Sequence, residues 1–85
     1  MQKIGLDVRS IEEIIDNPAP GSINISLGML PGEVEEKIAD KSSEICVFCE
    51  KGGRAERAKD YLESLGYSNV VNFGTWREWN ESLKK

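Results

Sequence analysis

EICVFCEKGGRAERAKDYLESLG, residues 44–66, decides the fold. It begins as a continuous apolar run, EICVF (44–48), of the kind that suits a strand in a sheet covered on both faces. It ends as RAERAKDYLESLG (54–66), where Ala55, Ala58, Leu62 and Leu65 recur at helical spacing and Gly66 stands where a C′ glycine belongs. Cys49, Glu50, Lys51, Gly52 and Gly53 lie between. Strand, short turn and helix in this order make half of a β–α–β unit.

The same alternation extends in both directions. KIGLDV (3–8) is short and apolar and reads as a strand. Ser10 with Glu13 three residues on fits a capping box, and Ile11, Ile14 and Ile15 follow as a helical stripe. Asn17-Pro18-Ala19-Pro20-Gly21 breaks that helix. SINIS (22–26) alternates like a short strand, and Pro31-Gly32 opens a weak helix over 33–39 with Val34 and Ile38 four apart. SNVVNF (68–73) reads as the last strand, and TWREWNESLKK as a closing helix with lysines at its negative end. Strands separated by helices predict an α/β fold: a mostly parallel sheet of four to five strands, flanked by helices on both faces. In such sheets ligands sit beyond the carboxyl ends of the strands, and Cys49 stands at that point.

The bulk numbers bound the chemistry. Eighty-five residues, 39% hydrophobic and 31% charged, make one domain (1–85). At this size a chain buries only about 60–65% of its unfolded surface. No apolar run approaches the roughly 20 residues of a membrane span, and the first residues have no signal-like stretch. A cytoplasmic protein without membrane contact is expected; a mature exported domain whose leader was replaced by Met1 would look the same. The net charge of −4 argues against general nucleic-acid binding. Against that background, residues 49–59 hold Lys51, Arg54, Arg57 and Lys59 with only Glu50 and Glu56, a basic patch that suggests a small anion. Arg57 and Lys59 read as part of a solvated helix face. With two cysteines and no histidine, a His-activated nucleophile and a Cys/His metal site are excluded. Neither a metal nor another cofactor is expected.

The loop itself has chemical content. A strand–loop–helix turn aims backbone N–H groups into one concavity, to which the helix start adds unsatisfied donors and partial positive charge. Glycines let successive amides point inward. The favoured guest of such a nest is an anion, so a thiol at its base is poised to react as the thiolate. Glu50, Lys51, Gly52, Gly53 and Arg54 then form a cradle around a nucleophilic Cys49, with no general base required.

At these residues the chain resembles the rhodanese-like domain family. The resemblance spans nearly the whole sequence: LDVRS at 6–10 with acidic residues following, PGSINIS at 20–26, VFCEKGGRAERA at 47–58, LGYSNVVNFGTW at 65–76, and Trp79. It implies a single-domain sulfurtransferase, in which Cys49 carries sulfane sulfur as a persulfide and residues 50–54 cradle it. The implied partners are a small anionic donor such as thiosulfate, and a protein donor or acceptor of sulfur; a monomer is expected. Ala55 and Thr75 depart from the family pattern, which often has a hydroxyl residue and a second glycine there. Related phosphatases use a seven-residue Cys-x5-Arg loop. Cys49 to Arg54 spans six, a shorter cradle that suits sulfur better than a tetrahedral oxyanion. A docking or relay module with little turnover is the alternative, and a phosphatase or arsenate reductase a third.

Cys46 and Cys49 spell C-x-x-C, yet at a strand period of two they face opposite sides of the sheet, which makes Cys46 a core residue. Asp7 and Arg9 read as a strand-end framework in which Arg9 pairs with Glu12 or Glu13. Trp76 and Trp79 read as core or rim packing, with Trp76 close to the site.

Overall fold

A computed structural model describes residues 3–84. Met1, Gln2 and Lys85 lie outside the described residues, and with Lys85 the last residue of the expected lysine tail. The elements are β1 (Lys3–Asp7), α1 (Ile11–Asp16), β2 (Ser22–Asn24), α2 (Leu30–Lys37), β3 (Glu44–Cys49), α3 (Gly53–Ser64), β4 (Val70–Thr75) and α4 (Trp76–Ser82). The strands form one sheet of order β2-β1-β3-β4, parallel at every pairing. The expected sheet of four to five strands is thus, among the described residues, a sheet of four. Its two central strands, β1 and β3, are the most buried, because neighbouring strands and helices cover them.

Strand parity divides the core. Ile45, Val47 and Cys49 face one side, with Leu30, Val34 and Ile38 from the α2 region and Ala55, Ala58 and Leu62 from α3. Cys46 and Phe48 face the other, under Trp79 of α4. Phe48 and Trp79 stack with ring centroids 5.5 Å apart. Trp79 also lies so close over β1 that a Cβ on Gly5 would come within 2.6 Å of its ring. Cys46 is a fully covered core residue, as its parity requires, and desolvation pushes its thiol up.

Two helices differ from their sequence reading. The isoleucine stripe of α1 is not a buried face: Ile11 and Ile15 are 54% and 72% exposed, and α1 buries no residue. α2 is interrupted at Pro31 and Gly32 (φ 93°), so its regular turns begin near Glu33, where the sequence put them. Val34 and Ile38 are both buried, as their spacing required.

β4 runs to Thr75, beyond the expected end at Phe73. Val47 pairs with Asn72 but Phe48 with Gly74, so Phe73 is an extra residue, a bulge that Gly74 accommodates at φ 95°. The bulge delivers Thr75 as the N-cap of α4, in a capping box with Glu78. The departure noted at Thr75 is therefore a helix cap.

Candidate active site

β3 ends on Cys49, whose side chain packs among the core residues of the α3 face and is 1% exposed. α3 starts at Gly53, one residue earlier than the sequence suggested. Between them the chain reverses over three residues, and Gly52 closes the reversal at φ 98° in the left-handed region. That conformation turns the Gly52 N–H onto Cys49 Sγ at 2.9 Å. Gly52 is also the N-cap of α3 and supplies no side-chain cap, so the positive end of the helix opens toward the sulfur. Gly53 has no positive φ; of the two glycines only Gly52 is needed for its backbone angle.

An open cavity of about 440 Å³ lies over this sulfur. Cys49, Glu50, Lys51, Gly53 and Arg54 line it, joined by Glu13 and Arg57. Five of the six residues singled out in the sequence thus meet in one cavity. The sixth, Gly52, acts through its backbone.

Three tethers hold the loop. Arg54 donates through both terminal nitrogens to the Glu13 carboxylate, at 2.6 and 2.7 Å. This fork pulls the Glu13 carboxyl from 4.5 down to about 2, with the Ser10 hydrogen bonds assisting against partial desolvation. Glu50 accepts from Trp76 Nε1 at 2.8 Å and from Arg77 at 3.0 Å, and these bonds hold its carboxyl below the usual carboxylate range. Asn72 donates to the Gly52 carbonyl at 3.2 Å and to Glu56 at 3.0 Å. Trp76 thus holds a loop carboxylate, which is its place near the site.

The framework beneath the site corrects one expectation. Arg9 does not pair with the carboxylate of Glu12 or Glu13. It forms a buried fork with Asp7, with Nη2 2.7 Å from Oδ2, and spends its other donors on the Glu13 and Asn17 carbonyls. Both side chains are at most 1% exposed, and the Arg9 guanidinium lies 5.4 Å from the centre of the Trp76 ring.

Sequence reasoning missed Glu13, Asn72 and Arg77 as parts of the site. Glu13 carried a signal, but for another role: its capping box with Ser10 is present in full. Its partner Arg54 lies 41 residues away, beyond any local pattern.

Known proteins share this sequence pattern and this fold. The sequence profile described as "Rhodanese-like domain" matches residues 2–82. Thiosulfate sulfurtransferase PspE of Escherichia coli is 32% identical over 69 residues, which cover 81% of this chain and 66% of that protein. Human thiosulfate:glutathione sulfurtransferase is 32% identical over 88 residues, covering 88% of this chain and 76% of that one. A Schizosaccharomyces pombe relative, 30% identical, is matched over 64% of its length, so the chain spans just under two thirds of some curated relatives. A solved rhodanese with anions from E. coli superposes with a TM-score of 0.85 at 28% identity, over 91% of each chain. With the profile spanning residues 2–82 and the parallel sheet superposing on a solved rhodanese, the chain belongs to the rhodanese-like domain family.

Proposed function

We propose that this protein is a sulfurtransferase that carries sulfane sulfur on Cys49. The observation that carries the reading is the Gly52 N–H aimed at Cys49 Sγ from 2.9 Å, in a six-residue loop opening into a cationic cavity. The Cys49 thiolate attacks the outer sulfur of thiosulfate. A new S–S bond forms at Cys49, the old S–S bond breaks, and sulfite leaves with its electron pair. The product is a Cys49 persulfide anion, in which the charge has moved one atom outward, toward the open end of α3. A thiophilic acceptor then attacks the terminal sulfur, and Cys49 leaves as the thiolate it began as. This is covalent catalysis in two halves and implies ping-pong kinetics. The names of the E. coli and human relatives support thiosulfate as donor and a small thiol such as glutathione as acceptor. A protein persulfide donor fits the same open cavity.

Arg54 favours sulfur over phosphate. In a phosphatase loop the closing arginine must turn onto the phosphate, and here both of its terminal nitrogens are engaged by Glu13. The test is the mass of the intact protein after incubation with thiosulfate. A gain of one sulfur atom, reversed by cyanide and absent from Cys49→Ser, is expected. No adduct, or an adduct that persists in Cys49→Ser, overturns the reading. So does aryl-phosphate hydrolysis that is lost in Cys49→Ser.

A further inference from the structure

Five charged side chains line the cavity over Cys49: Lys51, Arg54 and Arg57 against Glu13 and Glu50. These five do not contribute equally to an incoming anion. Arg54 has both terminal nitrogens on Glu13, so its charge is met within the cavity wall. Glu50 has one oxygen on Trp76 and the other on Arg77, which lies outside the cavity lining. Among the described residues, Lys51 and Arg57 line the cavity without an ion pair. Lys51 sits on the loop, whereas Arg57 is rooted one turn into α3, on a fixed backbone. Lys59, two residues on, is paired with Glu63 at 3.3 Å and does not reach the cavity.

Resting on the sulfur-transfer reading above, we infer that Arg57 is a donor-positioning residue that selects doubly charged sulfur donors. The sequence placed Arg57 in a basic patch suited to a small anion but read it as part of a solvated helix face; it lines the cavity instead. The planar guanidinium presents a fork that matches the oxygens of a sulfonate-like group. Anchoring those oxygens at Arg57 leaves the outer sulfur of thiosulfate free to face Cys49 Sγ. Arg54 then serves the loop's shape and Arg57 reads the charge.

The experiment is single-turnover loading of Cys49, followed by intact mass, with two donors. Thiosulfate carries two charges. Methanethiosulfonate carries one, and it yields the same Cys49 persulfide with methanesulfinate as leaving group. Removing one partly screened cation beside a dianion is worth about a three- to tenfold change. Arg57→Ala is therefore expected to lower the thiosulfate loading constant about three- to tenfold and the methanethiosulfonate constant less. Arg57→Lys is expected to recover part of the loss. Lys59→Ala removes the same charge away from the cavity and is expected to load like the unmodified protein. Equal loading of thiosulfate by Arg57→Ala and the unmodified protein overturns the inference alone. Equal slowing in Lys59→Ala also overturns it, because net charge would then suffice. An unmodified protein that takes no sulfur from either donor overturns the sulfur-transfer reading and this inference with it.

Discussion

Glu13 does two jobs with one carboxylate. Its Oε1 accepts from the Ser10 backbone and hydroxyl, closing the capping box of α1, and both oxygens accept from Arg54. The pair is about a third exposed on each side, so solvent screens it and its net worth is about 1 kcal/mol or less. Its pH dependence has a definite sign. The folded carboxyl is depressed from 4.5 to about 2, so the stabilisation is complete above about 4.5 and is lost as pH falls toward about 2. Glu13→Gln keeps a residue that can cap α1 and removes the charge. The urea midpoint of the unmodified protein is expected to exceed that of Glu13→Gln at pH 6, with the gap closing between pH 5 and pH 2. A gap that stays constant across that range would show that the ion pair is not its source. The capping role was legible in the sequence, because a capping box is a three-residue pattern. The Arg54 role was not, because the sheet brings the two residues together. Arg9 is a different case. Asp7 and Arg9 are two apart in extended chain and so share one face, a parity that was available from the sequence. Charge proximity to Glu12 and Glu13 was the weaker argument, and the Asp7 fork is what formed.

At the scale of elements, the unit that matters is β3, its turn and α3. Its parity was fully legible: Cys46 and Cys49 belong to opposite cores. The two glycines looked alike in the sequence and are not. Gly52 is left-handed at φ 98°, with only the Gly74 carbonyl at 4.0 Å from where a Cβ would sit. Gly53 is the first residue of α3, with open space around its Cβ position. Gly52→Ala therefore meets conformational strain and no steric clash, a cost of about 1–2 kcal/mol. Relief of that strain would rotate the N–H away from Cys49 Sγ. Gly53→Ala removes backbone freedom from the unfolded chain and is worth up to about 1 kcal/mol of added stability. Thermal melts of the two variants should move in opposite directions, and persulfide loading should fall in Gly52→Ala. If Gly52→Ala melts and loads like the unmodified protein, the turn does not depend on that angle. The capping box at Thr75 and Glu78 follows the same pattern as the one at Ser10 and Glu13. It was obscured because β4 runs through a bulge before reaching it, and the register of a bulge is set by pairing with β3.

At the scale of the whole molecule, the strand alternation was enough to give a parallel sheet, but not the weight each helix carries. α3 buries Ala55, Ala58 and Leu62, and α4 buries Trp79. α1 has an equally regular apolar stripe and buries nothing, since amphipathic spacing states which side of a helix is apolar and not whether a partner exists. What holds α1 is polar: Arg9 on the carbonyls of Glu13 and Asn17, and Arg54 on the Glu13 side chain. Local stability follows buried apolar contact, so the four helices should open at different free energies. In native-state hydrogen exchange, the α1 amides are expected to be the least protected helical set, with the β1 and β3 amides the most protected. Glu13→Gln removes one of the tethers and should speed α1 exchange further while leaving β3 unchanged. Protection of α1 equal to that of α3 would mean that its isoleucines are covered in solution. Because Glu13 is carried by α1 and lines the cavity over Cys49, opening of this helix removes one wall of the cavity and releases Arg54 from its partner. The opening of α1 thus sets how long Arg54 remains paired with Glu13 rather than free for an incoming anion.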